Sequence, residues 1–282
     1  MTTALRRVAV RAPGPSLLSA DREKWHYGPS FDPDLVEVQH SRFVALLEKS
    51  GAEVVRMDGS DNGIADAVFT YDASLVTPAG AILMSPGKAL RAGEQNTHRA
   101  FYESQNIPII GEICGAGRAE AGDTLWLDDK TVAIGRGFRT NEEGAQQITS
   151  ILKEQGITAH SFDMPVYTGE AACLHLMSLI SLVDSKTALV CMPLLPVAFH
   201  QLLVSMGFTL LEAPFDEFES TGTLSTNVLA TSEGRCIMLD GIDKTRSVLE
   251  QAGIVVDVFN GGALCIGCEG GPTCLTRPLL RQ

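Results

Sequence analysis

Near its end the 282-residue chain carries the run Gly270-Gly271-Pro272-Thr273-Cys274. A Gly-Gly-Pro turn holds the backbone open, so Cys274 is expected at the mouth of a cleft rather than beneath other side chains. A thiol presented in this way suits nucleophilic work once a neighbouring charge or base activates it. The rest of the sequence offers such groups. His175 lies in Cys173-Leu174-His175-Leu176-Met177, where strand alternation would put it on one face with Cys173 and Met177. Asp66 and Asp72 bracket one short apolar stretch, and Glu120 with Asp123 opens another. Any one acid before a strand is ordinarily a turn residue capping local amides. Arg91 and Arg139 sit in glycine-containing loops that enter helices, a setting in which backbone amides and a guanidinium fork suit a carboxylate. As a set these residue types fit a thiolate acting on a cationic small molecule.

The elements that must position them recur. Asp34 to Ser50 carries Leu35, Val38, Phe43, Leu46 and Leu47 at helical spacing and ends at Gly51, as a helix terminus should. Glu53 to Met57 then reads as a strand, as does Val8-Ala9-Val10 before it. Four hairpins follow: Ser74–Thr77 with Ala81–Met84, Thr124–Leu127 with Val132–Ile134, Leu179–Leu182 with Ala188–Cys191, and Val228–Ala230 with Ile237–Leu239. Each leads into a helix (Gly93–Ser104, Glu142–Glu154, Val197–Met206, Lys244–Gln251) and then a further strand, a repeat of about fifty residues. The two N-terminal strands and the C-terminal segment would close a fifth unit. A ring of five mixed modules places strand ends around one central cleft. No break in composition marks a second domain, so residues 1–282 are expected to form one. The polar stretch holding Trp25, His26 and Tyr27 is a candidate lid.

Nearly half of the residues are hydrophobic, enough for a large core. Neither a secretory signal nor an uninterrupted apolar span is apparent, so a cytoplasmic protein is expected. Seven cysteines, an odd number, do not resemble the paired framework of a small secreted domain, and most should be reduced thiols. The net charge of −12 argues against a nucleic-acid partner and favours approach of a cation. The expected partners are a small cationic amino-acid substrate and, at most, a second copy of the chain as a homodimer, with neither nucleic acid nor membrane.

The motifs Asp66-Ala67-Val68-Phe69, Asp72, Arg91-Ala92-Gly93-Glu94, Glu120-Ala121-Gly122-Asp123, Arg139-Thr140-Asn141-Glu142-Glu143-Gly144-Ala145, Leu174-His175-Leu176 and Gly270-Gly271-Pro272-Thr273-Cys274, in this order, resemble the guanidine-modifying superfamily. The likeness runs almost end to end and is greatest to dimethylarginine dimethylaminohydrolases. It implies an α/β fold, the five-fold pseudosymmetric propeller of ββαβ-type modules around a central active-site cleft. It also implies that Cys274 is the nucleophile, His175 the general acid and base, and Asp72 and Glu120 the carboxylates that grip the guanidinium. By the same resemblance Asp66 holds the substrate's α-amino group, and Arg91 and Arg139 bind its α-carboxylate. Neither a metal nor an organic cofactor is implied. The expected activity is hydrolysis of an N-methylated arginine to citrulline and an alkylamine through a covalent thiouronium.

Two departures keep other readings open. Position 177 is Met177, where relatives acting on methylated arginine tend to carry Lys and arginine deiminases Asp. An acid there would bind the unsubstituted guanidinium, so its absence weighs against arginine deiminase. That activity, an amidinotransferase and a hydrolase of another amidine or ureido amino acid remain the alternatives. The segment Asn260–Glu269 is an insertion holding Cys265-Ile266-Gly267-Cys268 beside Cys274. With His175 these thiols could make a Cys3His zinc site, or form a disulfide with Cys274. Either would fit a zinc- or redox-responsive binding protein on the same fold.

Overall fold

The computed structural model describes residues 1–170 and 174–282. Its strands are arranged as five three-stranded sheets. β1 (Leu5–Val10) and β2 (Glu53–Arg56) pair in parallel across an intervening helix, Pro33–Lys49. Asp32 caps that helix through the Asp34 amide, Pro33 occupies its first turn, and Val36, Phe43 and Leu47 are buried at helical spacing. Emptying the Phe43 position to Ala would cost roughly 3–5 kcal/mol. Gly51, with φ +91°, takes the left-handed conformation that ends the helix at little cost.

Four blades then repeat one plan of hairpin, helix and parallel return strand. They are β3 (Ser74–Thr77), β4 (Gly80–Leu83) and β5 (Ile109–Glu112); β6 (Thr124–Trp126), β7 (Thr131–Arg136) and β8 (Thr158–Asp163); β9 (Ile180–Asp184), β10 (Thr187–Val190) and β11 (Thr209–Glu212); and β12 (Leu229–Ser232), β13 (Arg235–Leu239) and β14 (Val255–Phe259). In each the middle strand is antiparallel to the first and parallel to the last. β15 (Arg277–Arg281) returns to pair antiparallel with β1, closing the ring through the two chain ends as the repeat predicts. The middle strands β4, β7 and β10 are buried almost throughout, as strands covered on both faces must be.

One class of element was not foreseen. Short helical turns precede the first strand of four blades: Ala65–Val68 with the turn that follows it, Ala121–Asp123, Leu176–Leu179 and Leu224–Thr226. The reading of 173–177 as a strand is corrected by this. Cys173 lies outside the described residues, and His175 is the extended N-terminal cap (φ −85°, ψ 164°) of the turn Leu176–Leu179. Three or four residues are too few for periodicity to register, and these turns bring polar side chains inward at the hub.

Candidate active site

Cys274, His175, Asp66, Asp72, Arg91 and Arg139 line one cleft. Glu120 stands directly behind it, wholly buried, with Oε2 2.7 Å from Nε2 of His175. One oxygen or nitrogen from each of Asp72, Glu120 and His175 lies within 4.8 Å of the others. Three of the blades thus deliver a buried acid, a second buried acid and an imidazole to the same point, and Cys274 arrives from the loop before β15.

The local sequence explains how they are held. Glu120 has its backbone N–H on Oγ1 of Thr140, whose hydroxyl donates to Asp123 Oδ2 at 2.6 Å. Asp123 Oδ1 accepts the Leu176 amide, tying the histidine segment to the neighbouring blade. The His175 amide donates to Ser178 Oγ, and the Ser178 amide to the His175 carbonyl. Gly122 fills the gap between acid and base. Its N–H donates to Asp72 Oδ1 at 3.0 Å, and a Cβ there would lie 2.6 Å from His175 Nδ1.

The charges are heavily paired. Burial alone would push the Glu120 carboxyl up, but the hydrogen bond and charge of His175, with Arg139 and Arg91, hold it well below the usual carboxylate range. Arg139 reaches Glu120 at 3.2 Å. Arg91 is buried and takes Glu94 through Nε (2.6 Å) and Nη2 (2.9 Å), Asp72 through Nη1 (2.6 Å) and the Phe69 carbonyl. Its guanidinium, which burial would make less basic, is kept firmly charged by Glu94 and Asp72. Arg91 therefore holds an acid of the site in this structure, a different task from the carboxylate clamp expected of it. Asp66 accepts from Tyr27 (2.7 Å) and from Lys88 Nζ (2.6 Å), which lies under the Trp25 ring. The cleft is small, about 50 Å³, room for a few waters. Trp25 and Lys88 are among the residues that line it.

The Cys274 thiol is pushed up to about 11, by burial first and by Asp72 second, against the lowering pull of Asn227, His175 and the Gly271 amide. Asn227 Nδ2 lies 3.2 Å from the sulfur. Lys88, which lines the cleft, and Asn227, which touches the sulfur, are two residues that sequence reasoning missed. Lys88 stands three residues before Arg91 in a loop already singled out. Asn227 immediately precedes the fourth hairpin, the position that carries chemistry in the other blades, so the repeat itself was the signal.

The alternatives drawn from the insertion fare differently. Among the described residues, Cys265, Cys268, Cys274 and His175 form no group able to share a metal ion, and the six described cysteines are free thiols. Cys265 and Cys268 are buried, Cys268 donating to the Ala263 carbonyl, and burial pushes both thiols well up. Met177 faces a separate small cavity with Tyr71, Val228 and Thr273, away from the cleft.

Fold and cleft together define a five-bladed α/β propeller with cysteine, histidine and paired carboxylates at its hub. A family model described as arginine deiminase matches residues 62–198, the stretch from Asp66 through His175. An uncharacterized protein, YkgA, of Bacillus subtilis is 29% identical over 256 residues, spanning 89% of this chain and 84% of its own. N(G),N(G)-dimethylarginine dimethylaminohydrolase of Pseudomonas aeruginosa is 26% identical over 278 residues, 96% of this chain and 98% of its own. A solved structure of the Pseudomonas aeruginosa enzyme, a mutant complexed with citrulline, superposes with a TM-score of 0.79 at 23% identity, covering 99% of this chain and all of that one. Along nearly its whole length the chain is thus similar to members of the guanidine-modifying superfamily, and it shares their fold. No helix among the described residues is long and apolar enough to cross a membrane.

Proposed function

We propose that the protein is a cysteine-dependent hydrolase of a guanidino amino acid, with N-methylated arginine the leading substrate and citrulline and an alkylamine the products. The observation that carries this reading is the meeting of Asp72, Glu120 and His175 within 4.8 Å at the cleft that Cys274 lines. A guanidinium carbon is a poor electrophile until its charge is fixed in place, and two carboxylates can do this while a sulfur is aimed at the carbon.

The chemistry runs as two displacements. His175 takes the thiol proton as sulfur attacks the guanidinium carbon, and returns it to the departing amine as the C–N bond breaks. A thiouronium on Cys274 remains. Water then attacks, giving one proton to His175; the C–S bond breaks with its electron pair returning to sulfur, the new carbonyl oxygen releases water's second proton to solvent, and His175 returns its proton to the thiolate. Glu120 holds the imidazole in place throughout. A thiol resting near 11 fits a nucleophile that waits for its substrate, because a cation gripped beside it favours the thiolate.

On substrate binding the α-ammonium takes Asp66 from Lys88, which then stands with Arg139 as a cation for the α-carboxylate. Support for methylated arginine comes from the names of the relatives. Arginine deiminase is the second reading, favoured by the family model that matches residues 62–198. A citrulline assay with arginine, its N-methylated forms and related amidines separates them. Turnover of methylated arginine at least tenfold better than arginine supports the first reading, and citrulline from arginine alone establishes the second.

A further inference from the structure

Four of the five blades place a group used in the proposed reaction just ahead of a hub strand: Asp72 before β3, Glu120 before β6, His175 before β9 and Cys274 before β15. The fifth, ahead of β12, places Asn227, which is 6% exposed. Its carboxamide is fixed at both ends. Oδ1 accepts the Thr273 amide at 3.0 Å, and a backbone N–H can only donate, so the oxygen must face it. The NH2 group is thereby turned to the Cys274 sulfur, 3.2 Å from Nδ2. The loop can lie this close because residue 271 is glycine, where a Cβ would stand 2.4 Å from Asn227 Cγ.

A thiol sulfur accepts hydrogen bonds weakly, whereas a thiolate accepts them strongly. A donor pinned against this sulfur therefore favours the state in which it carries charge. We propose that Asn227 is a catalytic residue, its carboxamide N–H stabilising the Cys274 thiolate both as the attacking nucleophile and as the group expelled when the thiouronium is hydrolysed. The proposal rests on the hydrolase reading. In the first step the thiol proton passes to His175 while negative charge collects on sulfur beside Nδ2. In the second, the electron pair of the breaking C–S bond returns to the same sulfur and meets the same donor.

Asn227→Asp is the sharpest variant, since a carboxylate keeps the acceptor for the Thr273 amide and the size of the side chain but loses the donor. Asn227→Ala removes the donor without adding charge. The pH dependence of Cys274 alkylation by iodoacetamide is measured on the ligand-free protein, with the modified sulfur located by fragment mass spectra. Steady-state kinetics follow on the best substrate of the panel. We expect alkylation at pH 8 to slow by roughly 10- to 100-fold in both variants, the range of a hydrogen bond to a charged group. We also expect kcat to fall by a similar factor with KM within about threefold, since Asn227 acts on the sulfur and not on substrate affinity. Alkylation unchanged within about twofold in both variants overturns the proposal, even if turnover is lost, because Asn227 would then merely hold the loop. Alkylation needs no substrate, so the two readings fail separately. A slowed alkylation with no turnover of any guanidino compound by the parent protein overturns the hydrolase reading, and the catalytic role with it.

Discussion

Gly122 separates the base from one of the acids, and Gly122→Ala perturbs both while leaving every catalytic side chain in the sequence. The added Cβ would stand 2.6 Å from His175 Nδ1 and 2.8 Å from Asp72 Oδ1. Ordinary contact begins near 3.4 Å, so the imidazole must retreat by about 3.4 − 2.6, or ~0.8 Å, and the carboxylate by somewhat less. Residue 122 lies outside the positive-φ region, so the clash acts through these two groups and not through backbone strain. A misplacement of about 1 Å can cost on the order of 100-fold in rate, and forcing a methyl into a packed site costs about 1–3 kcal/mol, a few degrees in Tm for a chain of this size. Citrulline release and a thermal melt on the same preparation read the two effects. The predicted result is kcat/KM down by roughly 30- to 100-fold with a folded protein melting only a few degrees lower. Kinetics within twofold of the parent would show that His175 and Asp72 do not act from either side of Gly122.

Titration of the ligand-free thiol should follow a pKa near 11, leaving about one thiolate in 10⁴ at pH 7; an alkylation plateau reached below pH 8 would contradict this. Glu120 is held below its ordinary value, so its contribution to stability is full above the unfolded carboxylate pKa, about 4.3, and fades as the pH falls toward the lowered folded value. The Tm gap between the parent and Glu120→Gln should accordingly narrow as the pH drops from 5 to 3, and a gap constant with pH would refute the assignment. Lys88→Met should shift the ratio of kcat/KM for arginine-type substrates over their decarboxylated amines by at least fivefold toward the amines, and an unchanged ratio would remove Lys88 from carboxylate binding. Activity should survive exhaustive chelation, whereas loss reversed by added zinc would restore the metal-site alternative.

The repeat was legible because its signals are local and regular. Glu142–Glu154 has the bounds read from its apolar spacing, and the pairing of β15 with β1 follows from a unit that needs both chain ends to be complete. Three features of the site were not legible, each for a physical reason. The turn at Leu176–Leu179 is too short for a period, so His175 read as a strand residue. Arg91 looks like any loop arginine until burial places it against Asp72 and Glu94. Asn227 is marked in the sequence only by its place ahead of the fourth hairpin; it carries no charge, and what it does there depends on a sulfur 47 positions later in the chain. Contacts between blades set these roles, and no window of sequence contains them.

The most direct test of the account is to quench a reaction with excess substrate in acid and locate the covalent adduct by mass spectrometry. An amidine-derived mass on Cys274, absent from Cys274→Ser, with that variant catalytically silent, is the predicted result. Continued turnover by Cys274→Ser, or an adduct on Cys265 or Cys268 in its place, would contradict the account.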